Sequence, residues 1–297
     1  MLRTLRWPWR VLAIRRQIMN ATTQIQATLP TIGIIFGTMA ILAIVEAVVP
    51  LHSRKRWGRT RLGPNLALTV ITILINLPLN VALTLALIWL DSIGFGLRQW
   101  LRIGPIGGVA LAVLALDFAF YMAHVAMHKI ALFWRFHRVH HTDPFVDVTT
   151  TIRQHPGEGL IRYLFVASTA IVTCASPLGF AVYRLWFVLN ALLEHANLRV
   201  PTRIDTIASL MVSTPNMHKV HHSRNQRETD SNYGNIFSLF DRLFSTFTPS
   251  ILGMRIEYGL DGHDAHEAQT TAGLLAMPFA KQGPSAVAVE RPATARG

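Results

Sequence analysis

Cysteine and charge are both scarce in this chain of 297 residues. The one cysteine, Cys174, leaves no partner for a disulfide within the chain and excludes a metal site built from several thiolates. Charged residues make up 15% of the chain, against about 25% in a typical soluble protein. Together with a hydrophobic content of 51%, this composition indicates a membrane protein. Any bound metal must then be held by histidine, aspartate or glutamate.

Several catalytic signatures are missing as well. The chain contains no H-E-x-x-H zinc protease motif, and Val125 follows His124 where that motif needs its glutamate. It has no E-x-x-H pair, which soluble di-iron bundles use. It also lacks the G-x-S-x-G of serine hydrolases and a G-x-G-x-x-G dinucleotide loop. These absences argue against hydrolases of those classes and against an intrinsic NAD or flavin site.

The chain is strongly basic, with a net charge of +12, and only four of its 28 basic residues are lysine. The basic residues flank apolar runs, which is typical of cytoplasmic membrane flanks that face anionic lipid. We therefore expect no nucleic-acid partner. The preference for arginine over lysine favours a GC-rich bacterial genome and hence a bacterial inner membrane.

Apolar runs at 30–50, 65–90 and 104–128 are long enough for transmembrane helices, which need about 20 residues. The apolar region 159–195 is broken in its middle and predicts a helical hairpin that enters and leaves on one side. The basic loop 52–61 is expected in the cytoplasm. The sequence thus predicts an all-α integral membrane protein with about three transmembrane helices, one hairpin and a cytoplasmic histidine-rich metal-binding cap.

Both ends of the chain differ from this membrane domain, which we place at 30–281. Residues 1–29 mix arginine with large apolar residues and predict a basic arm in the membrane interface. Residues 282–297 are small and polar and predict a disordered tail. Five arginines in the arm conflict with its predicted position outside the cell, so the side on which the arm lies stays open.

Histidine is the residue type that this chain has in excess, and ten of its 13 histidines fall between 124 and 222. Eight form an H-x-x-x-H motif at 124–128 and two H-x-x-H-H motifs, at 137–141 and 218–222. On a helix, residues three and four apart share a face, and neutral imidazole binds iron, zinc, copper and nickel. With two isolated histidines between the motifs, the pattern suits two metal ions. The candidate ligands are His124, His128, His137, His140, His141, His155, His195, His218, His221 and His222. We expect His52, His263 and His266 to bind no metal.

Carboxylates near these motifs are candidates for orienting the ligand rings. Asp117 and Tyr121 share a helical stripe with His124 and His128. Asp117 lies within an apolar run, where a charge is costly, so it either orients an imidazole or reaches toward water. Glu158 and Asp230, like Asp147 and Glu194, are adjacent to histidine motifs and could play the same orienting role. No catalytic residue separate from the metal ligands is expected.

The motifs together resemble the fatty acid hydroxylase superfamily, which includes sterol desaturases and sterol methyl oxidases. The resemblance covers about residues 110–250. It implies a membrane-bound non-haem enzyme in which the histidines hold two Fe ions, His155 and His195 corresponding to more variable positions. Such an enzyme uses O2 and two external electrons to hydroxylate or desaturate a lipid C–H bond. The stretches that carry the resemblance are "LFWRFHRVHH" (132–141), "TIRQHPGE" (151–158), "EHANLRVP" (194–201), "HKVHH" (218–222) and "DSNYGNIFSLFDRLFSTF" (230–247).

The expected partners are the bilayer, a lipid substrate and a separate electron donor of the ferredoxin or cytochrome type, which the basic face could recruit. A histidine-rich metal transporter or metal-binding protein is the alternative. Transporters place polar ligands near the middle of the bilayer, whereas most of these histidines lie outside the apolar runs. The pattern therefore favours an enzyme. Neither the lipid class nor the choice between hydroxylation and desaturation follows from the residues.

Overall fold

The computed structural model describes residue 30 and residues 32–52, 58–250 and 256–280. The predicted interfacial arm and the predicted disordered tail therefore lie outside the described residues. The described part is helical, and its only β-type pairings are isolated bridges such as the one between Pro50 and Leu198. The all-α prediction is confirmed for this part of the chain.

In the part of the chain that the structure describes, seven helices lie before residue 196, and five short ones follow. The first set is α1 (Ile32–Val48), α2 (Gly58–Ser92), α3 (Leu97–Trp100), α4 (Pro105–Lys129), α5 (Ala131–His141), α6 (Pro156–Thr173) and α7 (Pro177–His195). The second set is α8 (Thr202–Ala208), α9 (Pro215–His221), α10 (Gln226–Thr229), α11 (Leu239–Leu243) and α12 (Thr271–Ala276).

Among the described residues, two helices, α2 and α4, are long and apolar enough to cross a membrane. Their outer faces leave large apolar side chains such as Leu74 and Leu114 exposed, as lipid-facing helices do. The remaining predicted span, at 30–50, corresponds to α1, which is shorter than the usual span of about 20 residues. Helix α2 continues through Pro64 and Pro78 without ending.

The broken apolar region 159–195 forms two helices, as predicted. Cys174 ends α6 in the left-handed conformation, with φ of 46°. Ser176 then caps α7 by accepting a hydrogen bond from the Gly179 N–H at 3.0 Å, and Pro177 provides a first residue with the helical φ. Helix α4 packs against both α6 and α7, and their buried small and aromatic residues, including Ala112, Ala170 and Phe180, form the largest apolar core.

Polar side chains, rather than apolar ones, hold the segment between α5 and α6. Arg61, buried at the start of α2, forms ion pairs with Asp143 and with Asp147, the latter at 3.2 Å. Glu46 of α1 accepts hydrogen bonds from the backbone N–H groups of Val148 and Asn197, both at 2.7 Å. The segment is thereby fixed to α1 and α2, and Asp147, one of the carboxylates expected to orient a ligand ring, pairs with arginine instead.

Candidate metal centre

Helices α4 and α5 bring five of the candidate histidines together. The last two turns of α4 carry His124 and His128 on one face, and α5 starts after the single intervening residue Ile130. Its H-x-x-H-H motif lies in the last two turns, where all three imidazoles are buried. The chain reverses so tightly between the two helices that both motifs face the same interior space.

Helix α9 supplies the third motif. It begins with Pro215 after Thr214, whose hydroxyl accepts a hydrogen bond from the Met217 N–H at 3.3 Å. This N-cap sets the direction of α9, which has only seven residues and carries His218 and His221. His222 follows as the C-cap of the helix. The adjacent end of α7 adds His195, and α7 and α9 pack directly against each other.

Nine buried histidines form two groups, and within each group one nitrogen from every ring lies within 4.8 Å of the others. The five-histidine group contains His124, His128, His137, His141 and His221, and the four-histidine group contains His140, His195, His218 and His222.

Adjacent histidines belong to different groups. His140 and His141 point into separate groups with ring centroids 5.5 Å apart and planes at 87°. His221 and His222 do the same, at 5.5 Å and 90°. The doubled histidine of each H-x-x-H-H motif therefore joins the two groups through a single peptide bond.

The Nε2 atoms converge in a way that hydrogen bonding cannot satisfy. In the four-histidine group, Nε2 of His195 lies 3.0 Å from that of His218 and 3.2 Å from that of His222, and the latter two are also 3.2 Å apart. A neutral imidazole has one N–H and one acceptor nitrogen, so three mutually close Nε2 atoms cannot all pair. In the five-histidine group, the buried Nε2 atoms of His128 and His221 have no hydrogen-bond partner in the described residues. A cation at each centre fits both arrangements.

Backbone carbonyls fix several of these rings from behind. The Nδ1 atoms of His124, His195 and His221 donate to the carbonyl oxygens of Tyr233, Ala191 and Ser231 at 2.7–2.8 Å. His140 Nδ1 donates to the carbonyl oxygen of Arg153 at 3.2 Å. A proton held on Nδ1 leaves Nε2 as the unprotonated nitrogen that a metal needs.

Burial also keeps the rings neutral. Desolvation, reinforced by the charge of neighbouring histidines, lowers the pKa of His221 to about 3 and those of His140, His141 and His222 well below 6.5. Imidazole binds metal only when it is deprotonated. The sites thus present their ligands in the binding form at neutral pH.

Two carboxylates stand behind the five-histidine group, at positions predicted from the sequence. Asp230 Oδ1 lies 3.3 Å from His128 Nδ1, and Glu158 Oε1 lies 3.3 Å from His137 Nδ1. Glu194 is farther from its nearest ligand ring, 3.8 Å from His218 Nδ1.

Asp117 and Tyr121 lie elsewhere than expected. The Asp117 carboxylate accepts hydrogen bonds from the backbone N–H groups of Ile236 and Phe237, at 3.1 and 3.0 Å, and so contacts the backbone rather than an imidazole. The Tyr121 hydroxyl pairs with Thr246 at 2.9 Å. Both residues support the loop 233–237, whose Tyr233 carbonyl in turn orients His124.

Asp241 completes this support and was missed by the sequence analysis. Its two carboxylate oxygens accept the N–H groups of Tyr233 and Gly234, both at 2.8 Å. A side chain at Gly234 would place its Cβ 2.5 Å from the Phe237 carbonyl oxygen, so the loop admits only glycine in this geometry. The stretch 230–247 quoted from the sequence contains Asp241, but nothing in its spacing distinguishes the residue from a surface aspartate.

Arg153 was also missed, and it supports the other group. It is fully buried, donates to Asn65 and Gln269, and its own carbonyl oxygen orients His140. Desolvation lowers the pKa of its guanidinium to about 10, which still leaves it charged at neutral pH.

His155 is not brought together with the other candidates. Its Nδ1 accepts a hydrogen bond from the Gly157 N–H at 2.9 Å as the N-cap of α6, and its Nε2 donates to the Leu275 carbonyl at 3.3 Å. Both ring nitrogens are therefore occupied, which leaves no lone pair for a metal. His52, His263 and His266 also lie outside the two groups.

Comparison with known proteins adds an independent line of evidence. The family model for fatty acid hydroxylase matches residues 109–246, which include every member of both histidine groups. The ornithine lipid hydroxylase of Rhizobium tropici is 26% identical over 268 residues, covering 86% of this chain and 77% of that protein.

Other relatives match over a shorter length. The alkylglycerol monooxygenase of Caenorhabditis elegans is 32% identical over 138 residues, 44% of this chain and 25% of the relative. A very-long-chain aldehyde decarbonylase of Arabidopsis thaliana is 25% identical over 155 residues, 48% of this chain and 24% of the relative. The chain thus spans a quarter to a third of the length of the alkylglycerol monooxygenases that it matches. No solved structure matches the chain. The family model and these relatives agree with the resemblance seen in the motifs: residues 109–246 are a fatty acid hydroxylase domain.

Proposed function

We propose that this protein is an integral membrane oxygenase that hydroxylates a lipid, with the nine grouped histidines as ligands of two iron ions. The observation that carries the proposal is the convergence of buried Nε2 atoms into two groups. Two pairs of consecutive histidines, His140–His141 and His221–His222, each contribute one ligand to either group. A cation in each group would bind the acceptor nitrogens that hydrogen bonds leave unpaired. His155 is left out of the proposed ligand set because both of its nitrogens are hydrogen-bonded.

The donor set suits iron and the chemistry of a lipid C–H bond. Imidazole nitrogens bind first-row transition metals, and neutral ligands leave the metal charge uncompensated. Iron held in this way supplies the means to use O2 and two electrons against a C–H bond that has neither a leaving group nor an acidic proton. Acid–base residues alone cannot break such a bond, which agrees with the lack of a separate catalytic side chain among the candidate residues.

The protein's own groups orient the ligands and keep water out. Asp230 accepts from the outer nitrogen of His128, and the Glu158 carboxylate lies 3.3 Å from that of His137. Asp117 and Tyr121 hold the loop that orients His124. The Trp134 ring lies 5.0 Å from that of His128 and shields the five-histidine group. On the membrane side, Phe120 covers His124 with ring centroids 5.4 Å apart.

The membrane arrangement follows from the same elements. Helices α2 and α4 cross the bilayer, α1 reaches into it, and the α6–α7 hairpin enters from and returns to the side of the histidine groups. That side faces the cytoplasm of a bacterial cell, because the basic stretch 52–61 is expected in the cytoplasm and its last residue, Arg61, pairs with Asp143 and Asp147 beside the histidine groups. A ferredoxin or cytochrome-type donor supplies the electrons from this side. Of the two reactions left open by the sequence, hydroxylation is favoured, since the named relatives include a lipid hydroxylase and monooxygenases.

Isotope labelling tests the proposal directly. Membranes that contain the protein, a reductant and an electron carrier should convert a lipid into a product one oxygen atom heavier, with the label arriving from isotopic O2. The conversion should stop under nitrogen and after treatment with an iron chelator. Membranes with His221→Ala serve as the matched control. Label that arrives from water, or undiminished turnover without O2, would contradict the oxygenase and favour hydrolytic or transport chemistry.

A further inference from the structure

The α6–α7 hairpin contains two arginines within otherwise apolar helices. Arg162 and Arg184 line one cavity, which α2 closes with Asn76 and Asn80. Tyr163 donates its hydroxyl to the Leu79 carbonyl at 2.9 Å and so holds α6 against α2 beside this cavity. The wall is thus polar, although the exposed neighbours on the same helices are large apolar side chains. These neighbours include Leu160, Leu164, Val182 and Trp186.

The positive charge in the cavity is not balanced. Arg162 donates to Gln154 at 2.7 Å and lies 3.6 Å from the Glu158 carboxylate. Arg184 forms no hydrogen bond or ion pair with any residue in the part of the chain that the structure describes. Arg162 lines the same cavity, and its positive charge repels that of Arg184. The two guanidinium groups therefore line a cavity whose wall, among the described residues, contains no carboxylate, and the Glu158 carboxylate beside Arg162 also faces His137.

Both arginines lie at the same depth in the hairpin. Thr151 lies between α5 and α6, in the polar part of the protein that holds the histidine groups, here called the cap. Its hydroxyl donates to the Ala191 carbonyl at 3.2 Å, and this contact marks where α7 reaches the cap. Arg184 precedes Ala191 by seven residues of α7, which is roughly 10 Å at the rise of an α-helix. Arg162 is six residues beyond the start of α6 at Pro156, or roughly 9 Å. The two guanidinium groups therefore face the cavity just below the cap, where the lipid-facing helices begin.

An arginine in this setting needs an anionic partner. A charged side chain within apolar helices is costly and generally marks a functional site, and here the described residues supply no partner for Arg184. Guanidinium binds carboxylate and phosphate oxygens through paired N–H groups. The surrounding surface faces lipid, so an amphiphile can reach the cavity from the bilayer.

We propose that this cavity binds the oxyanion headgroup, phosphate or carboxylate, of a membrane lipid between Arg184 and Arg162. Asn76 adds a side-chain donor on the α2 side of the site. Phe187, also in the cavity wall, packs on Phe120 at 4.7 Å, and Phe120 covers His124. Two aromatic rings therefore separate the headgroup site from the five-histidine group. Binding here stands on the cavity alone and does not depend on the oxygenase activity.

Native mass spectrometry of the full chain in a neutral detergent tests the site without any measure of turnover. Phosphatidylglycerol and oleate should each be retained about tenfold more strongly than diacylglycerol, as expected for a charge-assisted pair of hydrogen bonds. Arg184→Leu should remove this preference, and Arg184→Lys should restore part of it. Arg203→Leu removes the same charge from an exposed position of the cap and should leave binding unchanged.

Several outcomes would overturn the site. Equal retention of diacylglycerol and phosphatidylglycerol, or an unchanged preference in Arg184→Leu, would show that the arginines do not select a headgroup. Inorganic phosphate that competes as strongly as phosphatidylglycerol would mean a soluble anion rather than a lipid. Should Arg184→Leu fail to fold, Arg162→Gln and Asn76→Leu test the same wall. Headgroup-selective binding in a protein that oxidises no lipid would contradict the oxygenase and leave this site intact.

Discussion

The two histidine groups are built from the same side chain but are supported differently. Two ligands of the five-histidine group, His128 and His137, have a carboxylate oxygen 3.3 Å behind the ring. In the four-histidine group, His140 and His195 donate to backbone carbonyls, and the nearest carboxylate, Glu194, is 3.8 Å from His218. A carboxylate behind an imidazole makes the ring a more basic ligand, whereas a carbonyl mainly orients it.

The groups also differ in their anchorage. Two of the five ligands in the larger group belong to α4, a helix long enough to cross the membrane, while the smaller group takes its ligands from α5, α9 and the end of α7. The two metal ions proposed here would therefore have unequal surroundings. The ion of the five-histidine group would be more strongly bound and closer to the lipid.

Removing one ligand from each group should have the largest effect. Purified His221→Ala should lose the ion of the five-histidine group, and His195→Ala that of the four-histidine group, because each removes a ligand nitrogen and leaves a cavity in its place. Metal analysis should show about one iron per chain in place of two. Lipid oxidation should fall to background in both variants, and a full metal load in either would contradict the assignment.

His155→Asn is the matched control for these two variants. Asparagine can cap α6 as histidine does, so the fold should survive the exchange. Full metal content is expected, since His155 lies outside both groups. Loss of one ion from His155→Asn would restore this residue to the ligand set.

Breaking the support of the loop 233–237 should have the next largest effect, and on one group only. Asp241→Ala leaves two buried N–H groups without acceptors, each costing roughly 1–3 kcal/mol. The free energy of unfolding should fall accordingly in chemical denaturation. Iron should be lost first from the five-histidine group, because Asp241 holds Tyr233 and the Tyr233 carbonyl orients His124. Asp241→Asn keeps one acceptor and should lie between this variant and the wild type. Equal loss from both groups would show that the loop supports the whole cap.

Neutralising the carboxylates tests the comparison itself. Glu158→Gln and Asp230→Asn should weaken metal binding to the five-histidine group by about 10–100-fold, as changes to groups behind a ligand generally do. Glu194→Gln, at the longer distance, should have a smaller effect on the other group. Competition with a calibrated chelator measures all three, and a larger loss from Glu194→Gln would reverse the order proposed here.

The smallest expected effect concerns both groups equally. Thr214→Ala removes the N-cap of α9, which carries ligands of each group, and should cost about 1 kcal/mol of stability. The thermal unfolding midpoint should fall modestly, with metal content unchanged at saturating iron. Thr214→Ser, which retains the hydroxyl, should behave like the wild type.

Much of this site can be read from spacing, because helical periodicity is local. The separations within 124–128, 137–141 and 218–222 predict that each motif can converge, and the structure brings all eight of these histidines together. The hairpin was likewise visible, since the break at 176–179 interrupts an apolar run. The predicted span at 30–50 corresponds to a shorter helix than its apolar length suggested.

Partners distant in sequence could not be predicted. Asp117 binds backbone N–H groups 119 and 120 residues away, so its own helical stripe, which points to His124, gives no hint of them. His155 looks like a ligand by residue type, yet it precedes Pro156, as a helix N-cap often does. Which group each histidine joins depends on how α5, α7 and α9 meet, and that is a property of tertiary packing.

The doubled histidines have a consequence for how the chain can change. His140–His141 and His221–His222 each span the boundary between the groups with one peptide bond, whose Cα atoms are about 3.8 Å apart. Insertion of one residue between either pair would rotate one ring by about 100° on its helix and remove a ligand from a group. The distance between the two sites is therefore set by covalent geometry at two places and cannot be adjusted by lengthening a loop. Point substitutions can tune each site separately, but insertions and deletions in these dipeptides must damage the pair as a unit.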